Sequence, residues 1–376
     1  MEIKLKSTPE QSELIKAMAS KNTTVAREAI EAVAAFLGPV IHQVLMTAGS
    51  ASQIYKNVEF DEDSDPSIPL DLFYAEGAGY VQVWSQNMAG GMPSSQVEGM
   101  KELKFGTYRL DSGVSFNKKY ARKNRLDVVS KAIERMVNEV LIKQEYNAWA
   151  VILKALAEAQ TQTVNSGALK HTISAGTAGT FLLADLNNLI VRIKRINESY
   201  SGNTATQPFT NGPTDLYVSP EVKAQIRAFA YNPVNTATTG NTGIAGIRDQ
   251  FVTEDIRNEI FRNAGMQSIY GVNINELIEF GKNQKYNSLF NVFATATSLA
   301  GWTSSAANEI MVGIDNTRGV FLRPVSRQAD SGGIFSVVPD GQFDSYGTRV
   351  EKIGFYGFLE EGRICLDSRA VAGVIL

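Results

Sequence analysis

Apolar positions recur every three or four residues along one long stretch of this chain: Leu126, Val129, Ile133, Met136, Val137, Val140, Leu141, Ile152, Leu153 and Leu156. That period puts them on one face of a helix, with Asn124 as its N-cap, Asp127 three residues on, and an end near Thr161. At 1.5 Å per residue, about 35 residues make a helix roughly 50 Å long. A compact domain of this size needs nothing so long, so the segment reads as a spine.

Before it, residues 1 to about 57 read as helix, break, helix. Thr24 is the candidate N-cap of "VAREAIEAVAAFL", and the Gly38-Pro39 pair is expected to bend the helix. Val25, Ile30, Val33, Phe36, Leu37, Ile41, Val44 and Leu45 require more apolar surface than this arm supplies by itself. An acidic, turn-rich strip, "EFDEDSDPSIPLD", comes next. Its acidic spacing resembles a calcium loop, but Pro66 stands where the glycine belongs and Leu72 where the closing glutamate belongs, so a solvated turn is the expectation.

From Phe73 to Tyr120 the period changes to two. Tyr80, Val81, Val83 and Trp84 precede, and Phe105, Tyr108, Leu110, Val114 and Phe116 follow, a tip of Gly, Met, Ser and Pro, "NMAGGMPSSQ". Two extended runs around such a tip predict a long two-stranded ribbon, which is marginal in water unless it lies on something else.

After the spine, "SAGTAGT" is a loop and Thr180 a candidate cap. Leu182, Leu183, Leu186, Leu189, Ile190, Ile193 and Ile196 mark a second amphipathic helix. "DLYVSPEVKAQIRAF" predicts a strand at Leu216 to Val218, Ser219 as N-cap, Pro220 at the first helical position and a third helix. A helix from Thr253 and strands in "SIYGVNINELIEFG" follow. "NEIMVGIDNTRGVFLRPVS" predicts a hairpin around Asp315 to Gly319. In the closing segment Ile353, Phe355, Gly357 and Leu359 alternate, Glu361-Gly362 turns the chain, and Ala370 to Leu376 adds a final strand to a sheet already built. The order is mixed α+β, without the regular alternation of a doubly wound or barrel fold.

Composition narrows the function classes. The 376 residues carry 36 Lys+Arg and 39 Asp+Glu, a formal net charge of -3, without the basic footprint of a tight phosphate-backbone binder. The one cysteine, Cys365, excludes an internal disulfide and a multi-cysteine zinc site, and reads as a small core side chain. No window has the roughly 20 apolar residues that a bilayer requires, and the first residues lack the apolar region of an export signal.

The candidate chemistry is sparse. His42 on an apolar helix and His171 in a Ser/Gly loop read as structural residues. "GNTGIAG" and "GTAGT" do not continue as a phosphate-binding loop. Glu360-Glu361 and Glu254-Asp255 read as solvent-facing or helix-start acids, and Arg262 and Arg318 as solvated turn arginines. No catalytic, cofactor-binding or metal residue is assigned. An apolar arm, a long ribbon and a spine together point to a subunit of a large homo-oligomer.

The ribbon, the strand "FGTYRLDSGVSFNKKYAR", the spine, "LYVSPEV" and the ending "GFYGFLEEGR…SRAVAG" resemble the major capsid proteins of tailed bacteriophages, which have the Hong Kong 97-type fold. The resemblance covers nearly the whole chain in order of elements. It implies an N-terminal arm at 1–57, an extended E-loop ribbon with flanking strands at 58–120, and a peripheral domain holding the spine at 121–212. An axial domain at 213–345 and C-terminal strands returning to the peripheral region at 346–376 complete it.

It further implies pentamers and hexamers in an icosahedral virion head, assembled in the host cytoplasm around double-stranded DNA that is contacted weakly. Scaffolding, portal and decoration proteins are the implied partners; no membrane and no cofactor is involved. Some members crosslink a lysine to an asparagine. Lys101 and Lys104 lie near the ribbon, but no matching asparagine or catalytic glutamate is assignable. Two alternatives stand: an encapsulin-type cargo shell of the same fold, and a soluble hydrolase using Glu360 and Glu361.

Overall fold

A computed structural model describes residues 9–61, 67–69, 102–123, 126–159, 162–164, 167–198, 212–231, 268–327, 336–340 and 352–376. In chain order the first elements are α1 (Pro9–Met18), α2 (Thr23–Thr47), α3 (Ala51–Ile54), β1 (Lys56–Asp61), β2 (Ser67–Pro69), β3 (Glu102–Lys104), β4 (Tyr108–Asn117), α4 (Lys118–Arg122) and α5 (Leu126–Glu158). Next come β5 (Gln162–Val164), β6 (Gly167–Leu169), β7 (Thr172–Ser174), α6 (Leu183–Glu198), β8 (Asp215–Val218), α7 (Pro220–Tyr231), β9 (Ser268–Ile269), β10 (Val272–Glu276) and α8 (Lys285–Ala296). Finally there are β11 (Ile310–Ile314), β12 (Phe321–Arg327), β13 (Ser336–Asp340), β14 (Lys352–Glu361), β15 (Ile364–Cys365) and β16 (Val371–Ile375). The chain divides into two units, one built from residues up to 70, 99–148 and 321–364, the other chiefly from 149–320 and 365–376.

The first unit is organised by β14. Along its whole length β14 pairs antiparallel with β4, from Lys352 opposite Asn117 to Glu361 opposite Tyr108. It also pairs with β13, and at Val325–Glu361 with β12. Strand β1 adds to β12 in parallel. The period-two pattern does what it must in a half-covered sheet: Phe116, Ile353, Phe355 and Leu359 turn inward. They meet Ile133, Met136, Val137 and Val140 of α5 and Ile30, Val33, Leu37, Ile41, Val44 and Leu45 of α2.

The apolar surface that the arm lacks by itself is supplied by its own unit. Its own unit buries all of the apolar residues named in it except Val25 and Phe36, which stay 41% and 59% exposed. Two further details differ. The cap of α2 is Asn22, whose side chain accepts from the Thr24 amide, so Thr24 lies inside the helix. The helix also runs unbroken through Gly38-Pro39. Proline removes one backbone bond, and a 25-residue helix packed along one face survives that loss.

The second unit contains a sheet in the order β7-β16-β11-β8-β10-β9. Strand β16 lies between β11, antiparallel, and β7, parallel; β8 is parallel to β10. Its core joins Leu186, Leu189 and Ile193 of α6 and Val222 and Ile226 of α7 to Leu216, Val218, Met311, Ala372 and Val374. Trp149 sits at 5.0 Å from the Tyr217 ring and 5.2 Å from Phe280, both edge-on, a favourable aromatic geometry. As expected, the Ser219 hydroxyl caps α7 by accepting from the Val222 amide at 3.1 Å. Thr180 is not the cap of α6: the carboxylate of Asp185 accepts from the Leu182 and Gly176 amides instead.

The hairpin expected around Asp315 to Gly319 is not formed. β11 already has partners on both edges, β8 and β16, and β12 pairs in the other sheet. A 3₁₀ turn, Asn316–Arg318, ended by Gly319 at φ 59°, joins them. In the closing segment, β14 joins the first sheet and β16 the second. The Asn124 cap, the ribbon beyond β2 and β3, Lys101, the helix from Thr253 with Glu254-Asp255, Arg262 and the side chain of His42 lie outside the described residues.

Candidate functional site

The chemistry-bearing side chains gather at buried ion clusters, one in each unit. At the end of β14, successive residues face opposite ways. Glu360 accepts from the Thr107 hydroxyl at 2.6 Å, whereas Glu361 is fully buried. The Glu361 carboxylate accepts from Arg323 Nε at 2.8 Å, from Gln144 at 3.2 Å, from Tyr108 at 2.9 Å and from Arg363 at 3.4 Å, and Arg323 Nη2 lies 2.7 Å from it as an ion-pair contact. The Arg363 guanidinium also lies 4.8 Å over the ring of Tyr55.

Burial pulls the Arg323 guanidinium below its ordinary value, with the Glu361 charge opposing. Burial likewise raises the Tyr108 hydroxyl to about 12, and the Glu361 charge adds to this. The expectation of a solvent-facing Glu360-Glu361 pair is therefore corrected, and with it the hydrolase reading. The two carboxyls face opposite sides of a strand, and the Glu361 oxygens are taken by fixed donors. A general acid and base need a shared reacting group.

In the second unit, Arg318 is also not solvated. Its side chain is 12% exposed and lies 3.4 Å from Asp315 and 3.8 Å from Asp367. The Asp367 carboxylate accepts from Arg369 Nε at 2.9 Å and from the Arg369 amide at 2.9 Å. Beside this group His171 is fully buried; its Nδ1 bonds the Val371 carbonyl at 2.8 Å, and burial lowers its pKa. At the other end of β16, Glu309 is buried, its Oε1 lacking a partner among the described residues, and burial raises its pKa. The Cys365 thiol, pushed up to about 12 by burial, is not a thiolate nucleophile at neutral pH.

Strands β2 and β3 pair antiparallel from Ser67–Lys104 to Pro69–Glu102, which places Lys104 on the later strand of the pair. The sequence signals that missed these clusters are weak ones. Arg323 and Glu361 stand in apolar runs, where a charge is expensive unless it is paired, and that expense is the only hint of a partner. Among the described residues no group of His, Cys, Asp and Glu could hold a metal ion.

No family model matches the chain, and no curated protein matches it. Solved structures do. A structure of Microbacterium phage Oxtober96 is 12% identical over 88% of this chain and 91% of its own, with a TM-score of 0.50. The capsid structure of the Cyanophage P-SCSP1u is 12% identical, covering 85% and 86%, at 0.48. The capsid of an empty GTA particle is 10% identical, covering 88% and 91%, at 0.48. The chain thus has the mixed α+β fold of Hong Kong 97-type phage capsid proteins.

Proposed function

We propose that this chain is a major capsid protein that assembles as pentamers and hexamers into the icosahedral head of a tailed phage, around double-stranded DNA. The carrying observation is the likeness of fold to the phage structure over 88% of the chain. The charge supports it: a lining with net charge -3 per subunit avoids the steep salt-dependent grip of a basic surface on duplex.

In this reading residues 1–57 are the arm, 58–120 the E-loop ribbon standing on β2 and β3, and 121–212 the peripheral domain with its spine. Residues 213–345 form the axial domain. The subunit's work is mechanical rather than catalytic, and its location is the virion after assembly in the host cytoplasm. Scaffolding, portal and decoration proteins are its partners besides its own copies. Among the described residues no helix is long and apolar enough to cross a membrane.

Negative-stain microscopy of the purified protein tests the reading. Closed shells, or rings of five and six, are expected. A compact monomer by light scattering overturns it. Native particles filled with enzyme instead of DNA would mark an encapsulin-type shell.

A further inference from the structure

His171 holds β16 twice. Its backbone carbonyl accepts from the Gly373 amide at 3.0 Å, and its ring bonds the Val371 carbonyl at 2.8 Å. A carbonyl only accepts, so Nδ1 carries the proton and the neutral ring leaves Nε2 as a bare acceptor. Nε2 is buried and has no partner among the described residues. The residue immediately after the ring opens β7, which pairs in parallel with β16 from Thr172–Gly373 to Ser174–Ile375.

A second proton has nowhere to go in this pocket. It would sit on Nε2, a buried cationic N–H without an acceptor. The charged groups that face the ring are Asp367, Arg369 and Arg192. Asp367 favours the extra charge, but its oxygens already serve Arg369 and Arg318. Arg369 beside β16 and Arg192 on α6 both oppose it. Two cations against one engaged carboxylate make the neutral ring a condition of the closed strand.

We propose that His171 is a pH-sensitive clasp: its protonation in mildly acidic solution frees β16 from β7 and opens the sheet of the second unit at that seam. The sign comes from proton linkage. The released ring binds a proton with an ordinary pKa near 6.5, the held ring binds it more weakly, so acid favours the open form. Opening should grow about tenfold per pH unit below 6.5 until the held ring itself titrates. Glu309, which brackets Leu376 through two backbone bonds, works in the opposite direction. It loses its charge in acid and tightens its end of the strand, so it cannot mimic the effect.

Hydrogen exchange of the full chain, corrected for the intrinsic rate, tests this between pH 7.5 and 5.5. Peptides covering 170–175 and 371–376 should lose about tenfold in protection, while the β8–β10 pair holds. In His171→Gln, which retains a donor but cannot titrate, the step should vanish. Protection independent of pH, or an identical step in the variant, overturns the clasp. Should the variant fail to fold, the wild-type ring supplies the test by NMR, the sequence having only two histidines. A His171 ring still neutral at pH 6.5 is expected, and one already protonated there overturns the proposal.

Discussion

Arg323 and Glu361 face each other near the point where β12 crosses onto β14, their side chains 2% and 0% exposed and their nearest atoms 2.7 Å apart. Neither charge has water to fall back on. Burying an ion costs several kcal/mol, and the cost is recovered only when every charged atom is well bonded. Here one carboxylate serves two guanidiniums, Arg323 and Arg363.

Removing the carboxylate should therefore be far worse than losing one hydrogen bond. Glu361→Ala strands two buried cations, and a loss of about 3–5 kcal/mol is expected from breaking a buried pair. Urea unfolding followed by fluorescence measures it. A loss below about 1 kcal/mol, the worth of a surface ion pair, would show that solvent reaches the cluster.

Glu309 predicts a pH dependence of known sign. Burial raises its pKa above the ordinary 4.5, with Glu221 adding and Ser219 and Lys282 opposing. The group binds protons more tightly when folded, so its contribution is full below 4.5 and is lost as pH rises through the folded value. Glu309→Gln should raise the melting temperature at pH 7.5 and leave it nearly unchanged at pH 4. Equal shifts at both values would exclude the electrostatic cause.

The turn between β9 and β10 places Tyr270 at φ 52° and Gly271 at φ 79°. Two successive positive angles define the hairpin turn that favours Asn-Gly, and a tyrosine there holds a strained backbone. Tyr270→Asn should stabilise the second unit by roughly 1 kcal/mol, since it relieves that strain while Tyr270 is half exposed. A lower melting temperature would mean that the exposed ring has an unseen contact.

Gly373 carries the opposite expectation. A Cβ there would stand 2.8 Å from Leu156 and 3.0 Å from the Met311 carbonyl, closer than packed atoms come. Gly373→Val should cost about 1–3 kcal/mol or more, the usual penalty for overpacking. Soluble yield and thermal denaturation provide the readout.

Deletion of residues 1–50 should unfold the first unit as well as abolish shells. Ile30, Leu37, Ile41, Val44 and Leu45 are each at most 4% exposed in its core. Their burial at roughly 1.5–3 kcal/mol apiece matches the whole stability of an ordinary domain. Native circular dichroism from the truncated chain would refute this.

The sequence made some elements legible because their patterns are local. The spine, expected from Leu126 to about Thr161, ends at Glu158, and the Ser219–Pro220 helix start is as expected. The strand from Lys352 shows the predicted inward Ile353, Phe355 and Leu359. What was illegible depends on residues far apart in the chain. Arg323 finds Glu361, 38 residues away, and His171 finds Val371, 200 away. No periodicity carries that information. The false hairpin at Asp315 to Gly319 has the same origin, since a strand pattern and a turn do not say which neighbours each strand will choose. The arm's apolar stripe was read correctly as needing a surface, but the pattern could not say that β14 and α5 provide it.

The position of β16 has a consequence for biosynthesis. A ribosome makes β7 and β11 long before residues 371–375, yet in the finished sheet β16 fills the gap between them. Until those residues emerge, the β11 edge toward β7 has unpaired amides and carbonyls and an apolar face, the features that invite wrong partners. Pairing across about 200 residues is also slow by its loop entropy. The second unit therefore stays open at that edge until residues 371–375 emerge, and crowded sister chains compete for the same edge in that interval.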